Sequence, residues 1–251
     1  MQQFKCRASG SSNIMGVKGL GKIGLTFAEN WYKEQLYERR QEFSSKYTEK
    51  GIEKEDGAID LVADHFGYGL LTKNETWFEN DFITGTPDII LGDRIIDIKC
   101  SWSAFTFPLF AKVEDTYDIQ MQCYMALTDK SMAQVIYCLM DAPERLIDAE
   151  ANKQARILGL DDVPVELFEK VKANMTYSNL PNKLRIKSFE IKRDDKLINL
   201  IYERVKECRT HLSGIDIAAK ALPKYSKSAT QPINPIHPPQ PNLIGGLELN
   251  W

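Results

Sequence analysis

The sequence predicts an α/β fold, and three observations carry that prediction. Two short, very apolar strands, Pro87 to Leu91 and Arg94 to Cys100, flank the turn Gly92-Asp93, the pattern of a tight hairpin. Segments with helical apolar spacing precede and follow this hairpin. A further apolar strand, Ala133 to Met140, comes after the next helix, so helices and strands alternate along the chain.

The hairpin carries the chemistry. Side chains alternate faces along its second strand, so Ile96 and Ile98 point one way while Ile95, Asp97 and Lys99 point the other. Asp88 lies beside them on the paired strand. Carboxylates and an ammonium in strands this apolar are costly to bury unless they pair or hold an ion. An isolated Asp-x-Lys reads as a structural ion pair. Gly85-Thr86-Pro87-Asp88 followed by Asp97-Ile98-Lys99 is a far more specific pattern.

The 251 residues suffice for one large domain with a core of ordinary size. With 43% hydrophobic and 27% charged residues and a formal net charge of −3, the composition is that of a soluble protein. The balance argues weakly against nucleic-acid binding, but local charge matters more than the total, and metal-binding carboxylates subtract from it. No apolar run approaches membrane-spanning length and the first residues lack a signal-peptide core, so the expectation is a cytoplasmic protein without membrane contact. Cys6, Cys100, Cys123, Cys138 and Cys208 form no C-x-x-C pair, which excludes a recognisable zinc or iron–sulfur spacing and suggests reduced thiols. Three histidines leave little for a histidine-rich metal site or a Ser-His-Asp triad.

The segment from Lys5 to Asn13 groups Arg7, Ser9 and Ser12 around a glycine, and can either cradle a phosphate or form a plain polar loop. Gly16 to Ile23 fits G-x-x-x-x-G-K but has Ile23 where a P-loop needs Ser or Thr, so ATP binding is rejected and a loop that could contact DNA is expected. A helix is predicted from Thr26, an N-cap with Glu29 three residues on, to about Phe43. A second, from Ser45 or Thr48 to His65, has Ile52, Ile59, Val62 and Phe66 on its inward stripe. Glu55 falls on that stripe and wants a partner, whereas Glu49, Glu53 and Asp56 form a solvated face. Gly67 ends the helix and a strand is expected over Leu70 to Trp77.

Beyond the hairpin, Trp102 to Phe110 reads as an aromatic loop and Glu114 to Thr128 as a helix with Gln120 and Tyr124 on one face. After the Ala133 strand come helices over Pro143 to Leu158 and Val163 to Tyr177, a strand over Lys183 to Ile191, and an amphipathic helix over Asp194 to Leu212 carrying Leu197, Leu200, Ile201, Val205 and Cys208. Composition then shifts. Residues 1–222 read as the folded domain and 223–251 as a Pro-rich tail ending in an apolar peptide, Leu243 to Trp251, which either tucks back or docks a partner.

With Glu55, Asp88, Asp97 and Lys99 so placed, the order helix–strand–strand–strand–helix–strand resembles the core of the PD-(D/E)xK nucleases. Within them the chain is most similar to the lambda-type phage exonucleases, also called YqaJ-like viral recombinases. Gly51-x-x-x-Glu55 resembles the family's helical acidic residue, and Gln120-Met121-Gln122-Cys123-Tyr124 matches the Q-x-x-x-Y motif of its RecB-like branch. The resemblance covers roughly residues 5 to 140. It implies a restriction-endonuclease-like core, a central mixed sheet flanked by helices.

The resemblance further implies a metal-dependent DNA exonuclease, phage-encoded and acting in recombination or replication in the host cytoplasm. Asp88, Asp97 and the main-chain carbonyl of Ile98, with Glu55 from the helix, would hold Mg²⁺ or Mn²⁺, since all are hard oxygen donors. Lys99 would hold the attacking water or stabilise the transition state, Gln120 and Tyr124 would orient water and phosphate, and Arg7, Ser9 and Ser12 would bind a DNA phosphate. Implied partners are DNA, a single-strand annealing or single-strand binding protein, and further copies of the chain. Rival readings are an endonuclease of the same fold, a catalytically dead DNA-binding scaffold, and a nuclease acting on RNA.

Overall fold

The computed structural model describes residues 3–39 and 46–220. The elements run β1 (Cys6–Arg7), a 3-10 turn (Ala8–Ile14), α1 (Gly21–Tyr37), α2 (Lys46–Phe66), β2 (Phe78–Glu79), β3 (Ile83–Gly85), β4 (Ile89–Leu91) and β5 (Arg94–Cys100). They continue with α3 (Asp115–Thr128), β6 (Met132–Cys138), α4 (Glu144–Ile157), α5 (Val165–Met175), a 3-10 turn (Asn182–Leu184), β7 (Ile186–Lys192) and α6 (Asp195–Lys220). The Pro-rich tail and its apolar end lie outside the described residues.

The strands form two mixed sheets. One has the order β4-β5-β6-β7, with β5 and β6 parallel and the outer pairings antiparallel. The other is small, with β1 parallel and β2 antiparallel to a central β3. The β4–β5 hairpin closes as predicted: Leu91 pairs with Arg94 across Gly92, whose φ of 57° is left-handed and cheap only for glycine.

Strand alternation divides the core. Ile96, Ile98, Ile136 and Ile186 meet Ala58, Ile59 and Val62 of α2 on one face. Ile95, Ala133, Val135 and Tyr137 meet Met121 and Met125 of α3 and Ile201 and Val205 of α6 on the other. The α6 stripe, Ile198, Ile201, Val205, Cys208 and Leu212, is buried at helical spacing. The two helices after β6 close a third cluster through Leu146, Ile147, Val171 and Met175. No helix among the described residues is long and apolar enough to cross a membrane.

Several expected elements shift. Helix α1 starts at Gly21, so Thr26 is not its cap: Gly24 packs so closely that an added Cβ would lie 3.2 Å from Asn13 O, which draws the first turn onto the 3-10 segment. It ends at Tyr37, where Glu38 turns left-handed. Ile52 is 71% exposed and does not belong to the inward stripe of α2, which runs Ala58, Ile59, Val62. The strand expected over Leu70 to Trp77 does not form, because Asn74 takes over the hydrogen bonding of that segment: its N–H donates to Asp88 O (2.7 Å) and its Nδ2 to Pro87 O (3.0 Å). Lys183 and Leu184 fall in a 3-10 turn ahead of β7. The Gly16–Gly21 loop docks on α6, where Arg204 donates to Gly16 O.

Lys50, a residue with no periodicity signal of its own, is fully buried in α2. Its Nζ donates to Ser101 O and Trp102 O, both at 3.0 Å, and so ties the helix to the end of β5. Burial lowers its pKa to about 8. Lys50→Met should lower stability by about 2 kcal/mol, because two carbonyls lose a charged donor. Urea unfolding checks this, and an unchanged midpoint would contradict the tie.

Candidate active site

The site grows from the place where β4 runs out. Ile89 pairs with Ile96, and one step further the ladder has no strand to offer Ile98. The Ile98 N–H instead donates to Asp88 Oδ2 at 3.2 Å. In a strand the N–H and C=O of one residue point to the same edge, so the Ile98 carbonyl faces this side too. Asp97 and Lys99 alternate with Ile98 and turn toward the face covered by α3.

Asp97 is completely buried, and neither of its carboxylate oxygens accepts a hydrogen bond. Lys99 Nζ lies 2.7 Å from Asp97 Oδ2, an ion pair rather than an aligned hydrogen bond. Burial pushes the Asp88 carboxyl up to about 7, and the Asp97 charge adds to the shift, against the pull of Lys99 and the Ile98 amide. For Lys99 burial acts downward, but Asp97 and Asp88 outweigh it and hold the ammonium charged. Two crowded carboxylates, one of them fully buried beside a single ammonium, form a donor set suited to a hard divalent cation.

Helix α3 supplies the wall. Tyr117, Gln120 and Tyr124 share one of its faces at spacings of three and four. The Tyr117 ring lies 5.1 Å from Lys99 Nζ in a cation–π contact, and Gln120 Nε2 donates to the Tyr124 hydroxyl at 3.0 Å. Burial raises the Tyr124 pKa, and Asp97 and Asp88 add to it. Gly85 lets this tyrosine in, since a Cβ there would lie 2.7 Å from Tyr124 Cε1 and 3.1 Å from Ala8 Cβ. The same close approach seats the 3-10 turn of the N-terminus. Arg7 stands opposite Thr84 on β1, Ser9 is exposed and Ser12 half-buried, while the buried Ser11 hydroxyl is used on Ala8 O at 2.7 Å.

Asp88, Asp97, Lys99, Gln120 and Tyr124 are thus brought together. Glu55 is not among them. Its Oε2 lies 2.6 Å from Lys73 Nζ, and among the described residues no three His, Cys, Asp or Glu converge as a metal site. The partner that a half-buried carboxylate on α2 wanted is a lysine. Glu49 and Glu53 sit on the exposed face as expected, both bonded to Arg145 of α4. Tyr117 and Lys73 went unpredicted. Helical spacing from Gln120 could have found Tyr117, but Lys73, on a segment without regular structure, had no such signal. A hollow of about 550 Å³ between the Lys18–Gly21 loop and α6 contains none of the site residues.

The raised Asp88 pKa sets a pH dependence. Between about 4 and 7 the folded metal-free protein holds a proton that the unfolded chain has released, so this contribution to stability is lost as pH rises through 7. Asp88→Asn, which stays neutral, should nearly match wild type at pH 4 and exceed it at pH 8 by on the order of 4 kcal/mol. Melting curves in a chelator check this, and equal gaps at both pH values would contradict it.

No protein-family model and no curated protein sequence matches the chain. Solved structures do. A phage-related exonuclease from Haemophilus somnus 129PT is 29% identical, with a TM-score of 0.71 over 87% of this chain and 97% of its own. The alkaline exonuclease LHK-Exo from Laribacter hongkongensis is 19% identical, with a TM-score of 0.61 over 87% of this chain and 95% of its own. The same enzyme in complex with dAMP gives 20% identity and a TM-score of 0.60. The chain therefore has the fold of the phage-type exonucleases, in agreement with its resemblance to the lambda-type members of the PD-(D/E)xK nucleases.

Proposed function

We propose that the chain is a divalent-metal-dependent DNA exonuclease, phage-encoded and acting in recombination or replication. The observation that carries this reading is the buried Asp97 carboxylate, without a hydrogen bond on either oxygen, between Lys99 and Asp88 at a strand end. The exonuclease fold supports it, as does a relative of the same fold in complex with dAMP, a unit of a DNA strand.

Asp88, Asp97 and the Ile98 carbonyl would hold Mg²⁺ or Mn²⁺. The bound ion would supply a more acidic water and offset charge gathering on the phosphorus. The rest falls to the chain's own groups. Lys99, kept charged by two carboxylates and flanked by the Tyr117 ring, can orient the attacking water or stabilise negative charge on the phosphoryl oxygens. The Gln120–Tyr124 pair offers donors fixed in place by their mutual hydrogen bond. The N-terminal segment, which packs through Ala8 beside Tyr124 at Gly85, would offer Arg7, Ser9 and Ser12 to a DNA phosphate.

Asp97→Asn and Lys99→Ala should each lower the DNA hydrolysis rate by on the order of 10²–10³-fold or more. Circular dichroism should be unchanged in both variants. Wild-type rates in either variant would sink the assignment.

A further inference from the structure

The loop between β5 and α3 carries the two most exposed aromatic rings among the described residues. Phe105 is 100% and Phe110 96% exposed. A single exposed apolar side chain needs no explanation, but these two stand on a loop that is held still. Phe107, between them, is buried in the main core. Ser103 and Thr106 clasp the turn on which Phe105 stands: the Ser103 N–H donates to Thr106 Oγ1 at 3.0 Å and the Thr106 N–H to Ser103 O at 3.1 Å. The Ala104 N–H donates to the Tyr177 hydroxyl at 3.3 Å, and Lys50 holds the start of the loop by Ser101 O and Trp102 O. A ring presented on a fixed loop gives up little freedom when a ligand covers it.

The place and charge of the loop say what that ligand is. It leaves β5 next to Lys99 and enters α3 just before Tyr117, so it joins the two elements that carry the site. From Ser101 to Val113 it has no carboxylate, and its one charged side chain, Lys112, is exposed. Nothing in it repels a phosphate backbone. Aromatic rings beside a cation suit nucleic acid, because every base has a π face to stack. Bases inside a duplex are already stacked on both sides, so an isolated ring finds a free face on an unpaired base. A contact between copies of the chain fits less well. Two rings bury roughly 300–500 Å², short of the about 800 Å² per partner that a stable interface takes. We propose that Phe105 and Phe110 form a stacking platform for unpaired bases of the strand that the site cuts. This rests on the nuclease reading above and adds to it how the bases of that strand are held.

Binding of a short labelled single-stranded DNA to the full chain, followed by anisotropy in Mg²⁺, tests the proposal. Lys99→Ala serves as background so that the strand is not consumed. An abasic strand of equal length, with the same phosphates and no bases, is the second probe. Phe105→Ala and Phe110→Ala should each weaken binding of the normal strand about tenfold. Binding of the abasic strand and the slope of log K against log salt should not change, since no phosphate contact is lost. Phe105→Trp should keep the affinity of the parent. Equal losses on the two strands, or no loss on either, overturn the proposal. So does a lower sedimentation mass in the alanine variants with strand binding intact, which would make the loop a contact between copies. If wild type fails to hydrolyse DNA, the nuclease reading falls and the platform with it. If wild type hydrolyses DNA and the alanine variants bind both strands as their parent does, the platform alone falls.

Discussion

A buried carboxylate without hydrogen bonds is the constraint around which this structure is arranged. Asp97 is closed off by the hairpin on one edge, β6 on the other and α3 above. Desolvating such a group costs several kcal/mol even after the protein relaxes, and the single ion pair to Lys99 offsets only part of that. The cost falls on the metal-free state, where Asp88 answers it by holding a proton. A strand that stabilised only the fold would carry an isoleucine at position 97, as it does at 95 and 96. Under the proposed function the same oxygens would serve as ligands for a divalent cation.

The surrounding elements hold this arrangement in register. Shortening β4 to Ile89–Leu91 exposes the Ile98 edge and lets Asp88 cap it. Gly85 admits both Tyr124 and Ala8, so one missing Cβ joins the α3 wall to the N-terminal turn. Lys50 anchors α2 to the end of β5 from the opposite side, and α2 in turn carries Glu55. Each contact is local, yet together they fix the distance between the acidic corner, the tyrosine wall and the basic N-terminus.

Much of this was legible in the sequence because it depends on short-range rules. Period-two alternation separates Ile96 and Ile98 from Asp97 and Lys99, and a Gly-Asp turn sets the hairpin register that brings Asp88 alongside. A spacing of four on a helix predicts the Gln120–Tyr124 contact. What escaped depends on tertiary partners. The Leu70 to Trp77 segment has strand-like composition, but Asn74 satisfies its backbone elsewhere, and that is decided by the fold around Pro87. Ile52 matched a helical stripe by spacing and turned outward, while Lys50 broke the pattern and turned inward, because two carbonyls at the end of β5 await it. Glu55 was identified as a carboxylate in need of a partner, and only the structure identifies that partner as Lys73.

The central claim is that this site cuts DNA from its ends with a divalent ion. Incubating one plasmid, closed circular or linearised, in Mg²⁺ and following release of acid-soluble nucleotide tests it most directly. The account predicts steady release from the linear form, none from the closed circle, and none from either in a chelator. Release from the closed circle, or from the linear form without a divalent ion, would contradict it.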